Sequence, residues 1–190
     1  YESIKQSLDV NRNLINEQDI DTAVGWLHNA RQVITIGMGG GSTIASQEMQ
    51  HRLFRLGYPV VAYNDGLLSR MIAATADNND VLVMLSATGY TPTIIETAEL
   101  AKEYGVKVIA ITPADSPLSE IADLTLPIEH KETDFIYKPS ASRYAMLALV
   151  DVISMALAVN HKRRSRDKLR RLKLALDSYR GGLDRQPLGD

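Results

Sequence analysis

The chain has 190 residues, of which 45% are hydrophobic, 23% charged and 6% aromatic, the balance of an ordinary globular domain. At that length folding buries roughly 70% of the surface the unfolded chain exposes, so a core forms without help from a disulfide or a structural metal. The absence of cysteine excludes thiol nucleophiles, iron–sulfur clusters, Cys-based zinc sites and a disulfide scaffold, and it agrees with a reducing cytoplasm. Formal charge is only −2, yet residues 162–173 hold eight of the 21 Lys and Arg and one acid, Asp167. The remainder then carries 13 basic against 22 acidic residues, a balance of −9. The opening residues, Tyr1-Glu2-Ser3-Ile4-Lys5, have the features of neither a signal peptide nor a transit peptide, and the missing initiator Met suggests a trimmed fragment.

In chain order, a lead segment over 2–15 and a helix over about 19–29 precede five short apolar, β-branched runs: 33–36, 59–63, 81–85, 106–111 and 124–128. Helical patterns occupy 44–56, 67–76 and 93–104 between them. Strand and helix alternating at this spacing predict an α/β fold, a three-layer α/β/α sandwich around a five-stranded parallel sheet, because a parallel crossover needs a dozen or more residues. Thr91 before Pro92 and Ser116 before Pro117 read as helix starts, and Gly57 and Gly105 read as helix stops. A polar loop over 129–139 leads into a long helix ending near 160. Its apolar run, 144–159, falls short of the about 20 residues of a membrane span and is interrupted by Asp151 and Ser154. It reads as a buried helix, apolar almost all round, covered either by a second copy or by the lead and C-terminal helices. The organisation expected is a lead helix or linker over 1–20, a ligand-binding domain over 21–160, and over 161–190 a basic helix with a poorly ordered tail beyond Tyr179.

In an open parallel sheet, ligands bind outside the carboxyl ends of the strands, at the point where the strand order reverses. Two post-strand loops are built to hold an anion there. Gly37-Met38-Gly39-Gly40-Gly41-Ser42-Thr43 follows the first run and Ser86-Ala87-Thr88-Gly89-Tyr90-Thr91 the third. Their glycines expose backbone N–H groups, their hydroxyls donate, and each opens into a helix N-terminus. In a flavodoxin-like order, 2-1-3-4-5, both loops face one crevice. The first loop lacks the Lys-Ser/Thr ending of a nucleoside triphosphate loop and the third glycine of a dinucleotide loop, so a small phosphorylated ligand is expected. The bland alternative is that the glycines make tight turns and that Ser42, Thr91 and Ser142 are helix N-caps.

These segments resemble the sugar isomerase (SIS) domain over about 21–160, through IGMGGGS, DVLVMLSATGYT, VIAITPADSPLSEIAD and SASRYAMLALVDVI. The last two look most like the effector domain of RpiR-type transcriptional regulators. That resemblance implies a five-stranded phosphosugar-binding fold, a homodimer or homotetramer, and DNA binding through an N-terminal helix-turn-helix domain that this chain lacks. The family's second-loop pattern S-x-S-G-x-T places Ser86, Thr88 and Thr91 on the phosphate, with Thr88 preserving a hydroxyl. In the first loop the family reads G-x-G-x-S-G, whereas Gly41 stands where the Ser belongs and Ser42 follows it. The implied ligand set is Gly39, Gly40, Gly41, Ser42, Ser86, Ala87, Thr88, Gly89 and Thr91, with Ser140 and Ser142 near the sugar and Arg143 beside them.

Aldose–ketose isomerisation, the alternative function for this fold, needs a base in the crevice. His28 lies at the opposite end of the sheet, His51 two or three turns along the first-loop helix, His130 in the loop after the fifth run, and His161 at the start of the basic segment. Related isomerases often place His and Glu after the second strand. Here residues 64–70 read Asn-Asp-Gly-Leu-Leu-Ser-Arg. Glu48, Glu129 and Glu132 remain as possible bases, each with a surface role as its alternative. The expectation is therefore binding without turnover, with no cofactor, no metal and no catalytic residue assigned. In the basic segment Leu169, Leu172 and Leu176 form a stripe at helical spacing, so it docks as an amphipathic helix whose cationic face is either solvated or touches DNA.

Overall fold

The β-branched runs are too apolar to face water on either side, and they pair only where helices cover both faces of the sheet. In the computed structural model, which describes residues 1–129 and 141–181, they form β1 (Val33–Gly37), β2 (Val60–Tyr63), β3 (Val81–Leu85), β4 (Lys107–Thr112) and β5 (Leu124–Pro127). All pairs are parallel and the order is β2-β1-β3-β4-β5, the order expected from the sequence. Val33 stands opposite both Val60 and Val81, so β1 and β3 start level in the middle of the sheet.

Helices α1 (Glu2–Arg12) and α2 (Glu17–Asn29) precede the sheet. Between the strands come α3 (Gly40–Arg55), α4 (Gly66–Thr75), α5 (Pro92–Glu103) and α6 (Pro117–Ile121), and after them α7 (Ser142–Asn160) and α8 (Lys162–Tyr179). Strand alternation divides the core in two. Val33, Val83, Ile109 and Leu126 face α2, α3 and α7 through Leu27, Met49, Leu53 and Ile153. Ile34, Ile36, Leu82 and Met84 face α4, α5 and α6 through Ala73, Ile94, Ala98 and Leu118. The first connection therefore lies on one face of the sheet and the next three on the other.

Helix α7 is long and apolar enough to cross a membrane by length and composition. Its Met146, Leu149, Val150, Ile153 and Leu157 are instead buried in the core. An outer stripe of α7 stays open, with Met155 64% and Val159 47% exposed beside Asp151. Helix α1 is fastened near the end of β5, where Asn11 Oδ1 accepts from the Glu129 N–H at 2.7 Å. Helix α8 lays Leu169 against the larger core cluster. Helix α3 begins four residues before the pattern predicts it, because Gly39 adopts φ +82° and turns the chain directly out of β1 into the helix.

At the amino ends of β1 and β3, Arg31 clamps Asp80 through Nε at 2.9 Å and Nη2 at 2.5 Å, and the Asp77 N–H donates to the same carboxylate at 3.0 Å. Burial alone would raise the Asp80 pKa, but the Arg31 hydrogen bonds and the Asp77 N–H outweigh it and hold the group below the usual carboxylate range. A depressed carboxyl contributes stability above its unfolded pKa of about 4, and that contribution is lost as pH falls through the folded value. Asp80→Ala is expected to cost about 1–3 kcal/mol at pH 7, reduced by the exposure of Arg31, and to flatten the loss of stability below about pH 4. Urea unfolding followed by circular dichroism across pH 3–7 checks both.

Candidate functional site

A cleft of about 290 Å³ opens at the carboxyl ends of β1 and β3. Its walls are the first turn of α3, the loop after β3, and the first turns of α7. Of the residues expected from the sequence, Gly40, Gly41, Ser42, Ser86, Ala87, Thr88, Thr91 and Ser142 line it. Met38, Arg143 and Met146 complete the wall. Met146 lies one turn after Ser142, so helical spacing alone marks it as a neighbour. Ser140, expected near the sugar, falls outside the described residues, as do His130 and Glu132.

Backbone donors set the chemistry of this cleft. Each α-helix leaves its first N–H groups without an intrahelical partner. In α2, α4 and α6 a side chain takes them: Asn16 accepts from Gln18, Asp65 from Leu68, and Ser116 from Ser119 within a capping box. In α3, α5 and α7 the side chain of the N-cap residue makes no such bond, and these are the three helices whose N-terminal residues line the cleft. Helices α1 and α8 also lack a side-chain cap, but neither lines it. Uncapped donors and helix dipoles converging on one cavity favour an anion.

Three readings of the sequence change here. Ser42 is not an N-cap. Gly39 occupies that position, and Ser42 sits inside the helix, where its Oγ accepts from the Ala87 N–H at 3.3 Å and bridges the two loops. Thr91 occupies the N-cap position of α5, but its side chain makes no capping bond. Ser142 is the first residue of α7, with Ala141 at the cap. Gly41 also gains a reason: a Cβ there would meet the Arg143 Cβ at 3.0 Å, so α3 and α7 leave little room for the serine the family usually has.

Gly39 and Gly89 belong to the loops but not to the wall of the cleft. Gly89 has φ +73°, and a Cβ there would lie 2.2 Å from Ser116 Oγ and 2.6 Å from Thr112 Oγ1. It lets the second loop lie flat on the β4 end, while the buried Ser86 accepts from its N–H at 3.0 Å. Arg143 reaches the cleft with its guanidinium 5.0 Å over the Tyr144 ring.

Among the described residues, no His, Asp or Glu lines the cleft. Glu48 pairs with Arg52 at 2.6 Å on the outer part of α3, near Asp151 of α7. His51 is exposed. His28 stacks on His161 at 3.4 Å and meets the Tyr58 hydroxyl at 3.0 Å, at the amino end of the sheet. Burial, then His161 and Arg164, lower its pKa. No cluster of three or more metal-ligating side chains occurs among the described residues.

Comparison with known proteins gives this geometry its relatives. The family model for the SIS domain matches residues 26–156. The chain is 35% identical over 180 residues to the HTH-type transcriptional regulator HexR of Escherichia coli (strain K12), an alignment covering 95% of this chain and 62% of that protein. It thus spans less than two thirds of that relative. The solved structure of the Vibrio vulnificus NanR protein complexed with ManNAc-6P superposes with a TM-score of 0.86 at 26% identity, covering 94% of this chain and 67% of that one. The sugar isomerase domain of an RpiR transcription factor from Sphaerobacter thermophilus superposes with a TM-score of 0.82 at 24% identity, covering 90% and 94%, a likeness of fold.

Gly89→Ala is expected to destabilise the chain by about 2 kcal/mol or more, because it combines a left-handed backbone with a contact shorter than any Cβ tolerates. Urea unfolding measures the loss, and an unchanged midpoint would show that the second loop is not held as described.

Proposed function

From the premise that the chain belongs to the SIS domain family, we propose that it is the sugar-phosphate-sensing domain of an RpiR-type transcriptional regulator. The observation that carries this reading is the convergence of the first turns of α3 and α7, the N-cap of α5 and the hydroxyls of Ser86, Thr88, Thr91 and Ser142 on one cleft. The phosphate sits between the first turn of α3 and the loop after β3, receiving N–H donors from Gly40–Ser42 and from Thr88, while the Ala87 N–H stays on Ser42 Oγ. The sugar extends toward Ser142, Arg143 and Met146, which offer polar, cationic and apolar contacts in turn. The NanR neighbour carries a sugar phosphate in its structure, which supports the same ligand class here.

Sensing without turnover is the reading this lining supports. Moving a proton between adjacent sugar carbons requires a base within hydrogen-bond reach, and the described wall offers hydroxyls, amides and an arginine. Isomerisation is the outcome the experiment below is designed to catch.

The regulated partner is DNA, bound through a helix-turn-helix domain that precedes residues 1–20 in the complete regulator. This accords with the name of the HexR relative and with the part of it that this chain does not span. Such a regulator works in the cytoplasm. A second copy covers the outer stripe of α7, where Met155 and Val159 stand open, and makes the chain a homodimer, or a tetramer built from it. Helix α7 touches the cleft at its first two turns and carries this stripe farther along, so one rigid element meets both ligand and partner. A ligand that prefers one position of α7 shifts the dimer toward the geometry holding that position, and so alters DNA binding.

Calorimetric titration with hexose, pentose, amino-sugar and keto-acid phosphates, each followed by NMR for hours, tests the proposal. Saturable binding with an unchanged ligand spectrum is expected, and conversion of an aldose to a ketose phosphate would overturn it. Ser86→Ala and Thr88→Ala are each expected to weaken that binding about tenfold, the worth of one hydrogen bond to a charged group. Unchanged affinity in both would place the ligand elsewhere. Met155→Asp with Val159→Asp is expected to yield a monomer by sedimentation, with the fold retained.

A further inference from the structure

Helix α8 presents the chain's charge asymmetry on one face. Its inner stripe is fixed by the body: Ser165 is buried, Leu169 packs on the core, and Leu172 and Leu176 are half-buried. Arg164 Nη2 donates to the Gly57 carbonyl at 2.8 Å and its guanidinium lies 4.4 Å over the Tyr58 ring. The Lys168 methylenes fill the space where Gly57 has no Cβ. These contacts set the rotation of α8 about its own axis. Arg163, Arg166 and Arg170, at i, i+3 and i+7, then share the outward face, flanked by Arg171.

All four arginines are exposed, and none of their side chains has an ion pair or hydrogen bond among the described residues. Elsewhere several of the body's cations are paired: Arg31 with Asp77 and Asp80, Arg52 with Glu48 and Asp151, Arg70 with Glu96, Lys102 with Asp123. Four guanidiniums left in an open row on a body whose own balance is −9 make a face for a regularly spaced polyanion.

We propose that this row is a contact to the phosphate backbone of duplex DNA, made by the sensing domain itself in addition to the helix-turn-helix domain. The row runs about 10 Å along the helix axis, the rise of about three base pairs. Guanidinium forks match phosphate oxygens in pairs. The acids of a second copy, whose body has a balance of −9, are the competing polyanion, and the sedimentation arm of the test below separates them from duplex. An anionic membrane is a poorer match, because the leucine stripe that would insert into it is turned to the body, Leu169 on the core and Leu172 and Leu176 half-buried. No aromatic residue lies between Lys162 and Ser178, so the contact reads backbone and not bases, and it is independent of sequence. The proposal rests on α8 and on the regulator family, not on the cleft, so a chain that binds no sugar phosphate leaves it standing.

Fluorescence anisotropy of the 190-residue chain with a labelled duplex of about two helical turns tests it, compared with the variant R163Q/R166Q/R170Q/R171Q. Four phosphate contacts give an affinity that falls about 150-fold between about 50 and 200 mM salt, equally for two unrelated sequences. The variant is expected to lose that affinity and its salt dependence while keeping its melting temperature and its affinity for inorganic phosphate. The control K5Q/R12Q, which removes two cations from α1, is expected to bind duplex like the parent. Equal binding by parent and quadruple variant, or an equal loss in the control, would overturn the proposal. So would a parent chain that binds no duplex while the quadruple variant changes its sedimentation or its binding to phosphatidylserine vesicles, for the row would then serve a second copy or a membrane.

Discussion

Because β1 sends the chain into α3 on one face of the sheet and β3 sends it into α5 on the other, the first turns of those two helices part above the sheet and leave a space between them. Strand order and helix side together produce the cleft. Two positive-φ glycines serve the first two walls: Gly39 brings α3 in directly behind β1, and Gly89 turns the loop after β3. Helix α7 closes the third side, having crossed back to the α3 face. The donors of the site are thus backbone groups fixed by the topology, and the side chains around them refine what the backbone already offers.

The pattern of helix caps is where fold and function separate. Capping an exposed N-terminus with Ser, Asp or Asn contributes about 1 kcal/mol, and this chain uses such caps on α2, α4 and α6. It omits them on the three helices that meet at the cleft, and also on α1 and α8 away from it. Stability is given up where a ligand can return it, and that also makes binding a source of rigidity: an anion held by α3, the β3 loop and α7 ties together elements that otherwise meet mainly through apolar contacts. A sensor needs this kind of linkage, because a ligand shifts an equilibrium only by the difference in its affinity for the two states.

Much of this was legible in the residues. The five runs and seven of the cleft-lining residues follow from apolar periodicity, helix punctuation and the rule that ligands sit beyond the carboxyl ends of parallel strands, while Ser142 and the SIS strand order come with the family resemblance. What the sequence hid depends on distances between segments remote in the chain. Ser42 looks like an N-cap because hydroxyls before an apolar run usually are, and only the approach of Ala87 shows it bridging two loops. Gly89 reads as a ligand contact, and the crowding of Ser116 and Thr112 beneath it adds a packing role that the sequence does not show. The stacking of His28 on His161 joins the end of α2 to the α7–α8 junction, a meeting that no spacing along the chain announces.

The central claim is that uncapped backbone amides of α3 and of the β3 loop hold the ligand's phosphate. Following backbone amide resonances during titration with a bound sugar phosphate tests it most directly. The account predicts large saturable shifts at Gly40, Gly41, Ser42 and Thr88, with Gln18, Leu68 and Ser119 at the capped N-termini unmoved. Binding accompanied by shifts at the capped termini, or by none at the α3 and β3-loop amides, would contradict it.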